Sequence, residues 1–279
     1  MSVDLSVGAP IQENAIKFDT DKMQAFIDDG VGWMIYNNPA RRNAISHEMK
    51  LAMIVILEEF QRNDAVRVVV LRGAGDKAFV SGSDISQFEK KRATPEQQLE
   101  FQKVGQQVQE RYDALEKPLI AMIQGFCLGG GLGTALQADL RIASDDAQFG
   151  IPAGRLGIAY NYPGLKNVVE LIGPSRAKEM LFTARRYSAQ EALQMGLINE
   201  VVPREALESR VREIAAMIAD NAPLSVKAAK LMTREIMKDP GSRDLELCKS
   251  LVEGCFASND YKEGRTAFMA KRKPVFTGH

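Results

Sequence analysis

Residues 125–144, GFCLGGGLGTALQADLRIAS, place three consecutive glycines between an apolar stretch and a short helix-forming stretch. A helix start normally carries a Ser, Thr, Asp or Asn cap, whereas glycine exposes the backbone N–H groups and lets a ligand approach them closely. The spacing is not G-x-G-x-x-G and no G-K-[ST] follows, which excludes a dinucleotide fingerprint and a P-loop. Two interpretations remain: a backbone site that binds an oxyanion, or tight packing of a strand on a helix.

The composition is that of an ordinary globular protein. Of 279 residues, 36 are Lys or Arg and 36 are Asp or Glu, so no net charge indicates a nucleic acid or an anionic membrane as partner. No apolar run approaches the roughly 20 residues of a membrane helix, and the N-terminus is too polar for a signal peptide. We therefore expect a cytoplasmic protein. Neither the three cysteines nor the two histidines have metal or triad spacing, so we expect no metal.

Strand and helix patterns alternate through the first part of the chain. Asp29-Gly30 between two apolar runs predicts a hairpin, and Ser46 and Thr94 each precede a helical pattern as caps. From about residue 174 onward the pattern is helical, with a capping box at Ser188 and Glu191. The sequence therefore predicts an α/β core over residues 1–200 and a helical portion over residues 201–279.

A second segment, DKAFVSGSDISQF at residues 76–88, follows a buried strand and by itself predicts a loop. Together with the glycine segment it resembles the paired motifs of the crotonase (enoyl-CoA hydratase/isomerase) family. The resemblance extends over nearly the whole chain, in the order NPARRNAIS, AFVSGSDI, GFCLGGGLGTALQADLRIA, AQFGIPAGRLGI, YSAQEALQMGLINEVV and AFMAKRKPVF. It implies an α/β fold built as a spiral of ββα turns, with a helical C-terminal portion for trimerisation.

The resemblance also implies a site for an acyl-CoA thioester. The backbone N–H groups of Ser83 and Gly130 would hold the thioester oxygen as it becomes an enolate. Coenzyme A enters as part of the substrate, with no separate cofactor. The residues implied to contact the CoA portion are Arg41 (or its neighbour Arg42), Ser81, Asp84, Ile85, and Lys271 (or the nearby Lys273). Relatives form trimers or dimers of trimers, and we expect the same here.

The chain departs from the hydratases of the family at two positions. Hydratases use two glutamates to hold water and exchange the proton, and those positions are Gly133 and Ala153 here. An enolate site without a base favours decarboxylation of a malonyl-type CoA ester, because loss of CO2 needs no proton abstraction. The stretch GRLGIAYNYPGLKNVV at 154–169 resembles that of methylmalonyl-CoA decarboxylases in the family, which makes Tyr160 a candidate catalytic residue. The alternatives are a hydratase or isomerase with displaced catalytic groups, and a non-catalytic acyl-CoA-binding protein.

Overall fold

The structure, a computed structural model, describes residues 16–84 and 94–279. It begins with the predicted hairpin: β1 (Met23–Asp28) pairs antiparallel with β2 (Val31–Tyr36). The two turn residues, Asp29 and Gly30, have φ of 47° and 76°. Two residues in the left-handed region are what a two-residue type I′ hairpin requires, and Asp-Gly supplies them at low steric cost.

The strands form two sheets. A six-stranded sheet has the order β1-β2-β3-β5-β7-β10 and is parallel beyond the first hairpin, and a four-stranded sheet has the order β4-β6-β8-β9. The remaining strands are β3 (Val68–Gly73), β4 (Ala78–Val80), β5 (Leu119–Ile123), β6 (Phe126–Leu128), β7 (Leu140–Ser144), β8 (Gln148–Gly150), β9 (Tyr187–Ser188) and β10 (Glu200–Val202).

Helices connect successive strands and form most of the C-terminal part. Their bounds are α1 (His47–Arg62), α2 (Pro95–Ala114), α3 (Gly130–Ala135), α4 (Tyr162–Thr183), α5 (Ala189–Gln194), α6 (Leu207–Ala219), α7 (Pro223–Ile236), α8 (Leu245–Ala257) and α9 (Asn259–Met269). The side chains of Ser46, Thr94 and Ser188 accept hydrogen bonds from the third backbone N–H of α1, α2 and α5, which confirms the three predicted caps.

Three strand pairs repeat one arrangement: β3–β4, β5–β6 and β7–β8 each send their first strand to the large sheet and their second to the small sheet. Because β4, β6 and β8 are parallel to one another, the chain leaves the small sheet at one common edge after each of them. This is the predicted spiral of ββα turns, and it is the crotonase-type α/β fold. The segments that follow β4 and β6 are the two glycine-containing motifs.

The large sheet is apolar on both faces, as expected for buried parallel strands. On one face Trp33 and Val70 pack with Val211 of α6, and on the other Met34 and Leu71 belong to the core shared with α1 and the small sheet. Strand β10 and helix α6 thus complete the sheet from beyond residue 200. The division of the chain at residue 200 remains a prediction. Helices α7–α9 come after α6 and lie further from the sheet.

Candidate active site

The glycine segment is shaped by its backbone. Gly129 has φ 53° and ψ −120°, a conformation that only glycine adopts readily, and its N–H donates to the Gly150 carbonyl oxygen at 2.8 Å. A methyl group on Gly131 would overlap the Val80 carbonyl oxygen, so α3 lies directly against β4. These contacts fix Gly130 as the first residue of α3, where the backbone N–H has no intrahelical acceptor. Close packing and an exposed amide therefore both occur here, at neighbouring glycines.

The second motif brings Ser83 beside Gly130. The Ile45 N–H donates to Gly82 O at 2.8 Å and the Asp84 N–H donates to Ile45 O at 2.9 Å, so one edge of this segment is paired. The Ser83 N–H belongs to the other edge. A methyl group built on Gly130 would lie 3.4 Å from Ser83 N and 3.1 Å from Ser83 Oγ. Within residues 16–84 and 94–279, neither the Ser83 nor the Gly130 amide donates to a protein acceptor.

The Tyr160 side chain lies close to Gly133 of α3, which is one helical turn beyond Gly130. A methyl group on Gly133 would be 3.2 Å from the Tyr160 hydroxyl oxygen. Burial raises the pKa of Tyr160 to about 12, with a further contribution from the buried Cys127 thiol, whose own pKa burial also raises. Tyr160 is therefore protonated at neutral pH. It can donate a hydrogen bond to an anionic group but cannot act as a general base there.

The positions of the two hydratase glutamates carry no carboxylate, and the nearest acidic residue of the glycine segment does not replace them. Asp139 Oδ2 accepts from Leu119 N at 2.8 Å and from Lys230 Nζ at 2.8 Å. It is thus committed to the start of β5 and to an ion pair with α7. In the described ranges, no group of three or more His, Cys, Asp or Glu side chains is arranged to hold a metal ion.

Three of the five residues implied for CoA binding lie beside the amide pair. The Ser81 N–H donates to Arg42 O at 3.1 Å and Ser81 Oγ donates to Arg41 O at 3.3 Å. These bonds attach the short 3₁₀ helix Pro39–Arg41 to the Ser81–Asp84 segment, and both arginine side chains are exposed. Ile85 lies outside the residues that the structure describes.

Lys271 lies elsewhere. It follows the end of α9 with a left-handed φ of 51°, and its N–H donates to Phe268 O. The chain beyond it runs to Arg67, whose guanidinium donates to Phe276 O at 3.1 Å. Arg67 precedes β3, whereas Ser83 and Gly130 follow the carboxyl ends of β4 and β6. A contact between Lys271 and CoA stays a prediction.

One glycine of the site was not singled out by the sequence analysis. Gly164 is the third residue of α4, and a methyl group on it would approach Cε1 of Tyr160 to 2.8 Å. A glycine in the first turn of a helix, two residues after Tyr162 and directly after Pro163, is the only sequence signal for it. That signal is weak, because it does not indicate which side chain the glycine contacts.

Two stacked sheets of ββα turns, with a pair of acceptor-free amides at their common edge, define the crotonase class of acyl-CoA proteins. The family model Enoyl-CoA hydratase/isomerase matches residues 27–279. The Short-chain-enoyl-CoA hydratase of Clostridium acetobutylicum is 38% identical over 237 residues, 85% of this chain and 90% of that protein. The Crotonyl-CoA hydratase of Syntrophomonas wolfei is 37% identical over 240 residues, 86% of this chain and 92% of that protein.

Among solved structures, an enoyl-CoA hydratase/carnithine racemase from Magnetospirillum magneticum superimposes with a TM-score of 0.87 at 33% identity, covering 94% of this chain and 97% of its own. The chain belongs to the enoyl-CoA hydratase/isomerase, or crotonase, family, and it is an acyl-CoA enzyme of that family. This confirms the resemblance to the crotonase family and the fold class, whereas the local resemblance to methylmalonyl-CoA decarboxylases stays a prediction. In the part of the chain that the structure describes, no helix combines the length and apolar character needed to cross a bilayer.

Proposed function

We propose that this enzyme decarboxylates a malonyl-type CoA ester through a thioester enolate. One observation carries the proposal: the protonated hydroxyl of Tyr160 lies over Gly133, at the position where a hydratase would carry its first carboxylate. The site thus has a neutral hydrogen-bond donor where hydration needs an acid–base group.

The proposed step needs no base. The bond between the α-carbon and the carboxylate carbon breaks, CO2 leaves, and the electron pair of that bond becomes the enolate, with its negative charge on the thioester oxygen. The amides of Ser83 and Gly130 stabilise that charge. A proton from water or a neighbouring hydroxyl then adds to the α-carbon and gives the shorter acyl-CoA. Each such backbone donor is worth about 3–4 kcal/mol in the transition state.

Tyr160 would bind the carboxylate that is lost. A hydrogen bond from a neutral hydroxyl holds the carboxylate without forming an ion pair, which would resist loss of charge as CO2 departs. A glutamate at position 133 would instead place a second negative charge close to the substrate carboxylate. At about 4 Å and an effective dielectric constant of about 20, that repulsion is about 4 kcal/mol. Gly133 and Ala153 therefore suit an anionic acyl group.

A hydratase reaction is the second candidate, since two relatives at 38% and 37% identity are named enoyl-CoA or crotonyl-CoA hydratases. It would need water positioned by groups other than the two missing glutamates.

The test is mass-resolved turnover of methylmalonyl-, ethylmalonyl- and malonyl-CoA beside crotonyl-CoA. Loss of CO2 from a malonyl-type ester without hydration of crotonyl-CoA is the expected result. Hydration of crotonyl-CoA without CO2 loss would contradict the proposal and establish the second candidate. If none of the four esters reacts although they bind, the proposal fails and a reaction on another acyl group is favoured.

We further propose that the CoA portion lies against Arg41, Ser81, Asp84, Ile85 and Lys271, that no cofactor beyond the CoA of the substrate takes part, and that the enzyme acts in the cytoplasm as a trimer or dimer of trimers. Apolar side chains exposed on the last helices support assembly: Leu245 is 68%, Phe256 62% and Phe268 81% exposed in the single chain. Sedimentation equilibrium measures the subunit number directly.

A further inference from the structure

The orientation of Tyr160 is set by packing and not by a hydrogen bond. Within the described residues no protein group hydrogen-bonds its hydroxyl. The ring instead fits between two glycines: a methyl group on Gly164 would be 2.8 Å from Cε1 and 3.2 Å from Cζ, and one on Gly133 would be 3.2 Å from the hydroxyl oxygen. The hydroxyl is consequently available to a ligand while the ring has little freedom to move.

Neither glycine is required by its own backbone, since both lie in helices and neither has a positive φ. At Gly164 alanine has the higher helix propensity, so helix formation does not require glycine. The helix cap crowds the same position. Asn161 Oδ1 accepts from the Gly164 N–H at 3.1 Å, and it would lie 2.8 Å from a methyl group on Gly164. Caps of this kind normally accommodate a side chain at that position, so the contact with the Tyr160 ring, at the same 2.8 Å, is the one that is particular to this chain.

We propose that Gly164 is a positioning residue, which holds the Tyr160 ring so that its hydroxyl lies over Gly133 and faces the acyl group. The assignment of that acyl group as a carboxylated one rests on the proposed function. The positioning itself does not, because it concerns only where the ring lies.

The effect of Gly164→Ala follows from the contact. A methyl carbon cannot approach other heavy atoms to 2.8 Å, so both the Tyr160 ring and Asn161 Oδ1 must move by several tenths of an ångström. Asn161→Ala separates the two effects, because it removes the cap oxygen and leaves the ring contact in place. Displacement by about 1 Å in an active site can lower the rate by about 10²-fold. We expect kcat to fall by up to about 10²-fold on the CoA ester that the wild type converts. KM should stay within about threefold, because the amide pair is unchanged. Gly154→Ala is the matched control, since its methyl group would meet only Leu181 O at 3.5 Å.

A second readout is independent of the reaction. Tyrosinate absorbance is followed between about pH 9.5 and pH 11, where ordinary tyrosines ionise and a buried one does not. Gly164→Ala should add one ionising tyrosine to the wild-type curve in this range, because the displaced ring becomes exposed. Asn161→Ala, which removes the cap but leaves the ring and the glycine, should not. In a Tyr160→Phe background, Gly164→Ala should add no tyrosine.

The outcomes separate the two proposals. A changed titration in Gly164→Ala, together with a wild type that does not release CO2 from any malonyl-type ester, supports the positioning and refutes the proposed function. A Gly164→Ala enzyme with wild-type titration and wild-type kcat overturns the positioning. If Gly164→Ala fails to fold, recovery of folding in Gly164→Ala/Tyr160→Ala supports the proposal, and failure of that double variant as well overturns it.

Discussion

Gly130→Ala tests whether Ser83 and Gly130 form the oxyanion site. The added methyl group would lie 3.4 Å from Ser83 N and 3.1 Å from Ser83 Oγ. We expect it to crowd a thioester oxygen that accepts from both amides. Alanine suits the first position of a helix, so α3 should form normally. We expect kcat to fall by about 10²–10³-fold, which corresponds to loss of one oxyanion donor, or about 2.7–4 kcal/mol.

The assay is single-turnover product formation from each CoA ester that the wild type converts, with thermal unfolding of the same preparation. Gly254→Ala is the control, because a methyl group there meets no atom within 4 Å. Both variants should unfold at temperatures close to that of the wild type. A stable Gly130→Ala enzyme that retains the wild-type kcat would show that the thioester oxygen binds elsewhere, whichever reaction the enzyme performs.

Four further predictions concern Tyr160, Gly131 and Arg141. Tyr160→Phe should lower kcat for CO2 release by about 10²-fold and leave CoA-ester affinity within about threefold, measured by steady-state kinetics and calorimetry. Gly131→Ala should destabilise the fold by about 3 kcal/mol or more in urea titrations, because its methyl group overlaps a carbonyl of β4. Arg141→Met should cost about 2–4 kcal/mol in the same assay, since the buried guanidinium donates to two carbonyls. The free energy of unfolding should fall with rising pH between about pH 10, where unfolded tyrosine ionises, and the Tyr160 pKa of about 12, because the folded state keeps the Tyr160 proton longer. The fall should be smaller in Tyr160→Phe.

Local signals in the sequence predicted much of the fold. Asp29-Gly30 specified the hairpin, and the hydroxyls of Ser46 and Ser188 specified where α1 and α5 begin. The hairpin turn and the two helix caps each involve residues no more than four positions apart, so a short stretch of sequence is enough to predict them. The two glycine segments were recognised as a pair through the family resemblance.

Features that depend on packing between distant segments were less accessible. Cys248 and Cys255 lie seven residues apart in a helical pattern, and this spacing predicts that both face the core from one side of a helix. The structure leaves both only half-buried, because α8 packs mainly on α7 and has no buried residue. The role of Gly164 was also missed, although Tyr160 lies only four residues before it, because the spacing alone does not indicate where the Tyr160 ring points.

The donors of the amide pair are backbone groups, so they do not depend on which side chains evolution selects at these positions. Most substitutions at position 83 leave its N–H in place, so the proposed oxyanion site tolerates changes of sequence there. Under the proposed function, the fate of the enolate depends instead on which residues occupy positions 133, 153, 160 and 164. A combinatorial library over these four codons would sample new reactions of CoA esters while retaining the inherited oxyanion site, which makes this scaffold suited to directed evolution.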